Sequence, residues 1–116
     1  MNWNFSNNIK TMNLLEFISC FKKPSEIERV VLGLEPDLDI ELADVYLEKE
    51  LNIYSNIRFF NAEEIEGKLE MEIEGKKYIN LFPLDLLKEI YEDYANLVET
   101  DLEIANSIMS YRVKDA

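Results

Sequence analysis

The stretch KLEMEIEGKKYINLFPLDLLKEIYEDYANLV, residues 68–98, constrains the fold most, because its hydrophobic period changes from two to about 3.6 at a proline. Leu69, Met71 and Ile73 alternate with Glu70, Glu72 and Glu74, as on a strand with one apolar and one acidic side. Residues 68–73 and 77–82 flank EGK, which suits a three-residue hairpin loop with Gly75 in the left-handed region. That loop sets Met71 opposite Ile79 and Leu69 opposite Leu81, with Glu70 and Glu72 facing outward beside Asn80 and Tyr78. Pro83 closes the strand, and Leu84, Leu87, Ile90, Tyr91, Tyr94 and Leu97 then recur as the stripe of a core-facing helix. Thr100 and Glu103 have capping-box spacing and open a last helix carrying Leu102, Ile104, Ala105, Ile108 and Tyr111.

The upstream half is less explicit. Residues 1–10 read as irregular, with Trp3 and Phe5 available to pin them to the body. Thr11 is placed to cap a helix ending near Phe21, with Leu14, Leu15, Ile18 and Phe21 at helical spacing and Pro24 as its stop. Ser25 and Glu28 repeat the capping-box spacing before RVVLGL, a segment equally compatible with helix and strand. From Pro36 the period becomes two: Asp37, Asp39 and Glu41 alternate with Leu38, Ile40 and Leu42. A strand or pair of strands over 38–50 is preferred, although IELADVYLEKEL also suits a helix, so the state of 25–50 stays open. IRFFN, residues 57–61, reads as a further strand. With no repeat and no linker richer than NAEEIEGK, the chain of 116 residues is expected to form a single domain over 1–116. Its class is α+β: an antiparallel sheet with an N-terminal helix and two C-terminal helices packed on one face, the other face being acidic.

Charge narrows the choice of partners. Twenty-four acids against twelve bases give a net charge of −12. Residues 34–75 hold thirteen of those acids and only Lys49, Arg58 and Lys68, hence −10 of the total, while residues 1–33 are slightly basic. Nucleic acid and anionic membrane carry the same sign and are disfavoured; a basic protein is favoured. No run of eighteen apolar residues exists for a membrane helix, and MNWNFSNNIK has neither the basic nor the apolar region of a signal peptide. With Cys20 as the single cysteine, a cytoplasmic location is the expectation.

Chemistry-bearing motifs are scarce. The chain has no histidine, which removes the commonest general base and zinc ligand, and its three glycines are isolated. Cys20 lies among apolar helix positions and reads as a small buried hydrophobe. DLDIELAD sets Asp37, Asp39 and Glu41 at alternate positions, as in a calcium loop, but Leu42 stands where the tight turn requires glycine. A non-enzymatic protein without cofactor or metal is therefore expected. Acids alternating along strands serve as a solvated sheet face and keep edges from pairing with other chains. They also suit a docking face. The candidate partner-binding residues are Asp37, Asp39, Glu41, Glu70, Glu72 and Glu74, with Tyr46 and Tyr78, and also Tyr54, as aromatic anchors.

The join INLFPLDLLKEIYEDY, the last helix TDLEIANSIMSYRVKDA and the overall acidity together resemble the small immunity proteins of bacterial contact-dependent inhibition and other polymorphic toxin systems. The resemblance covers about the last 40 residues plus a compositional bias. It implies a non-enzymatic inhibitor that binds a cognate basic toxin, often a nuclease, and masks its active site, acidic side chains standing in for substrate phosphates. An acidic secretion chaperone or a regulatory interaction subunit is the alternative. Whether the protein is a monomer or a dimer is left undetermined by the sequence.

Overall fold

The computed structural model describes residues 11–115; the expectations for Trp3 and Phe5 lie outside the described residues. The chain is α+β, with helices α1 (Leu14–Ser19), α2 (Pro24–Leu34), α3 (Ala62–Ile65), α4 (Leu84–Ala95) and α5 (Asp101–Asp115). Strands β1 (Ala43–Glu48), β2 (Ile57–Asn61), β3 (Glu70–Ile73) and β4 (Lys76–Pro83) form one antiparallel sheet in the order β2-β1-β4-β3.

Local chemistry accounts for most boundaries. Asn13, not Thr11, caps α1: its side chain accepts from Glu16 N–H while Glu16 reaches back to the Asn13 N–H, a reciprocal box. A single 3₁₀ turn over Cys20–Lys22 leads to Pro24, which both ends that segment and supplies the first residue of α2. RVVLGL is helical, since Ile27, Val30 and Val31 bury on one side at helical spacing. The Ser25–Glu28 box does not form, because the helix starts two residues earlier, with Lys23 at the cap position. The Thr100–Glu103 box does form, the carboxylate of Glu103 accepting from the Thr100 N–H and hydroxyl. α4 and α5 follow the expected spans, except that Leu97 falls beyond the end of α4 and is exposed.

Two strand expectations are corrected. The strand over 38–50 shortens to 43–48: residues 40–42 form a 3₁₀ turn, opened by Asp39 accepting from the Glu41 N–H at 3.1 Å. Asp37, Asp39 and Glu41 therefore lie on no strand. The β3–β4 turn has two residues, Glu74 and Gly75, with φ of 52° and 82°, the pattern of a type I′ turn. One residue fewer in the loop slips the pairing, so Met71 faces Tyr78, while Glu70 and Glu72 face Ile79 and Lys77.

That register decides the layers. Val45, Leu47, Ile57 and Phe59 share the main core with buried residues of α1, α2, α4 and α5. Between Val45 and Tyr46 a bulge lets β4 place Leu81 and Phe82 in that core in succession. Edge-on aromatic contacts of Phe17 with Phe21 (4.8 Å) and Phe59 (5.3 Å) join α1 to β2. The opposite face is not acidic. It carries a second cluster of Tyr46, Tyr78 and Ile65, flanked by Phe60, Met71 and Ile73, with α3 supplying Ile65. β1 is consequently buried on both faces, which is why ADVYL shows no alternation in burial.

Candidate protein-docking groove

Arg58 is the organising residue of an indented surface along β2. It stands opposite Tyr46 in the β1–β2 register, so it projects on the face of the aromatic cluster. Its guanidinium lies 5.0 Å from the ring centre of Phe60 and 5.4 Å from that of Tyr78, and donates to the Tyr78 hydroxyl at 3.1 Å. Glu35, just past the end of α2, approaches it at 3.9 Å. One cation thus lids the cluster and draws the 35–38 loop toward β2.

Hollows line up along β2 on either side of this lid. The first, about 280 Å³, is bounded by Glu35, Asp37, Leu38, Arg58, Phe60 and Glu64, among others. The second, about 240 Å³, shares Glu35 and Arg58 and adds Glu48, Lys76 and Tyr78. A third, about 330 Å³, continues along the β1–β2 loop past Glu48, Lys49, Glu50 and Tyr54. Five acids (Glu35, Asp37, Glu48, Glu50, Glu64) thus line a groove containing three bases, of which Arg58 is already engaged. Lys76 is likewise held, 3.6 Å from Glu48. Tyr54 is 63% exposed at the far end, a rigid aromatic open to solvent.

The residues singled out by sequence fall into three groups. Asp37, Asp39 and Glu41 are exposed just before β1, at the end of the sheet where Ala43 pairs with Asn61, and Asp37 enters the groove. Glu70, Glu72 and Glu74 are exposed on β3 and its turn, three strand spacings or roughly 14 Å from β2. They belong to another edge, where Glu70 pairs with Lys77 at 3.4 Å. Tyr46 and Tyr78 are 0% and 4% exposed, and the Tyr46 hydroxyl donates to the Lys68 carbonyl. Both are packing residues, and Tyr54 is the tyrosine of the three that faces solvent.

Sequence reasoning did not single out Glu35, Glu64 or Arg58. The available signal was Arg58 itself, a lone base set beside two phenylalanines within an acidic run. It also counted Asp44 as one acid among many, yet among the described residues this is the charged side chain that is buried, 6% exposed, opposite Phe60 and Pro83. Burial pushes its carboxyl above the usual aspartate range. Cys20 is half-buried, and burial, with Glu26 and Glu16 nearby, raises its thiol, the reverse of nucleophile activation. Among the described residues no group of three histidine, cysteine, aspartate or glutamate side chains is arranged to hold a metal ion, and no helix is long and apolar enough to cross a membrane.

No family model, no curated protein and no solved structure matches this chain.

Proposed function

We propose that the protein acts without catalysis as an acidic binding protein that docks on a basic protein and masks its functional surface, as an immunity protein masks a cognate toxin. The observation that carries this reading is the groove along β2, where Glu35, Asp37 and Glu64 converge on one hollow and Tyr54 stands exposed beyond it. Acids fixed around a concave surface complement a convex basic one, raising the rate of encounter and setting orientation. Tyr54 supplies the large, low-entropy contact that anchors such interfaces. The site differs from the one the strand pattern suggests: β2 and its flanking loops replace the β3 edge.

The test begins with capture of partners on the immobilised protein, elution by a salt gradient, and measurement of the purified partner's affinity. Double reversal Asp37→Lys with Glu64→Lys is expected to weaken a basic partner at least about tenfold, the equivalent of about 1.4 kcal/mol. Double reversal Glu70→Lys with Glu72→Lys, on the far edge, serves as the charge-matched control. Equal affinity in the groove variant and the control would sink the assignment. A partner insensitive to both salt and groove reversal would instead favour an acidic secretion chaperone, for which the exposed Leu97, Leu102 and Val113 are the relevant surface.

A further inference from the structure

α5 buries Ile104, Ala105 and Ile108 against the core, and carries a second apolar stripe on its outer side. Leu102, Asn106, Met109 and Val113 recur at spacings of four, three and four, one above another on the helix surface. Leu102 is 45% and Val113 58% exposed, while Met109 is half-buried, packed in part against the core and open on its outer side. Asn106, Met109, Ser110 and Val113 bound, with Lys114, a shallow hollow of about 440 Å³. Their i, i+3, i+4, i+7 arrangement is the four-residue hole into which a side chain of a facing helix inserts.

We infer that this stripe is the contact surface for a second copy of the chain, α5 packing antiparallel on α5 about a two-fold axis. Charge along the helix identifies the occupant. Its first turn is acidic, Asp101 and Glu103, and its last turn basic, Arg112 and Lys114. Turned end for end, the helix is complementary to itself, in side-chain charge and in macrodipole. With Leu102 against Val113 of the second copy, Asn106 meets Met109, and both ends of the stripe are covered at once. Glu103 and Lys114 project on the same flank of the stripe, so each Glu103 carboxylate, whose Oε1 also accepts in the Thr100 cap, comes beside the other copy's ammonium. Arg112 stays out of this pairing: its guanidinium donates to the Asn80 carbonyl, and Asp101 already lies 3.8 Å from Lys22.

The contact is small. A 15-residue helix is about 22 Å long, and one helix pair covers less than the roughly 1,200 Å² of a standard stable interface. A polar Asn106 in the seam favours one register at the expense of strength. The dimer therefore belongs in the micromolar-to-millimolar range. The assignment is independent of the β2 groove, which no α5 residue lines.

Sedimentation equilibrium of the full chain, from about 10 µM to about 1 mM at about 0.15 M salt, is the direct test; that salt screens the repulsion between two copies of charge −12. The average mass is expected to climb from 13.7 kDa toward twice that value, and Val113→Glu or Leu102→Lys to weaken association at least tenfold without lowering the melting temperature. Orientation is read by cross-linking in a Cys20→Ser background with a reagent spanning about 8 Å. Antiparallel pairing separates the two 106 positions by about 4–5 Å along the axis and the two 113 positions by about 16 Å. Asn106→Cys should therefore link and Val113→Cys should not. A monomer at every concentration overturns the proposal and leaves the stripe to another occupant, a foreign protein or residues 1–10. A dimer indifferent to both stripe variants, or equal linking at 106 and 113, overturns it as well.

Discussion

Replacing Arg58 tests the central feature of the groove, because its stability and binding effects should have opposite signs. Arg58→Ala removes two ring contacts, at 5.0 and 5.4 Å, worth about 0.5–1 kcal/mol each at a partly exposed site. It also removes the donor to the Tyr78 hydroxyl, a bond to a charged group discounted here to about 1 kcal/mol because the side chain is 38% exposed. The pair with Glu35, at 3.9 Å and a third exposed on both sides, adds at most about 0.5 kcal/mol. The sum is about 2–3 kcal/mol, or about 8–12 °C in melting temperature for a chain of this length. Arg58→Met keeps much of the aliphatic stem over the rings and should lose roughly half as much. A double-mutant cycle with Tyr78→Phe, read by urea unfolding, should show coupling of about 1 kcal/mol. In Arg58→Ala and Arg58→Met a basic partner should bind more tightly, because the groove loses its central positive charge. A loss below about 0.5 kcal/mol with no coupling would mean that the guanidinium is merely solvated, and would refute its role as lid.

Three further outcomes follow from the fold. Asp44 has its folded pKa raised by burial, so the folded state holds the proton to higher pH than the unfolded one. The resulting penalty is absent below the ordinary aspartate pKa, grows as pH rises through the raised folded value, and is complete above it. Asp44→Asn should therefore be at least as stable as the parent at neutral pH, with a flatter pH profile by calorimetry; destabilisation at pH 7 would show that the carboxylate is satisfied. Gly75 has φ +82° and open space where a Cβ would stand, so Gly75→Ala should cost only the backbone strain, about 1 kcal/mol by urea midpoint, and Gly75→Asn less. Phe17→Ala empties the point where α1, Phe21 and Phe59 meet and should cost about 3–5 kcal/mol in denaturant, much of a typical domain's stability; a loss under about 2 kcal/mol would show that the core collapses into the space.

Helices α4 and α5 were legible because each carries its own periodicity and end signal; α1 was legible in span but not in its cap, α2 stayed open between helix and strand, and α3, within NAEEIEGK, was not anticipated. α4 and α5 are bounded by Pro83 and the Thr100–Glu103 box, and strand β2 by its short β-branched and aromatic run. The strand register was not legible, because it turns on one residue of loop. EGK and EG both place a glycine in the left-handed region, yet they send Met71 and Tyr78 to different pairings. The two-residue form requires Glu74 also at positive φ, which a glutamate adopts only when the surrounding ladder enforces it. The alternation over 37–42 misled for another reason. A short side-chain cap followed by a 3₁₀ turn also half-buries Leu38, Ile40 and Leu42 and leaves the acids outside. Period two measures which side chains face water, and a turn wrapped along the body can satisfy it as well as a strand.

Once β1 is covered on both sides, the position of the acids follows. The second sheet face is occupied by Tyr46, Phe60, Tyr78 and Met71, so charge cannot be spread across it and moves to the rim: the 35–41 loop, α3, the β1–β2 loop and the β3 edge. Burying Asp44, the acid that remains inside, already raises its pKa, a direct measure of what a carboxylate costs there. A rim of like charge around a packed sheet repels itself, so the arrangement costs stability in the free protein. Arg58 beside Glu35, Lys76 beside Glu48 and Lys77 beside Glu70 offset part of that cost. The rest of the field stays directed outward, where a basic surface would relieve it. Relief of that repulsion is a driving force present only in the complex, and it falls with added salt in the same measure as the repulsion itself.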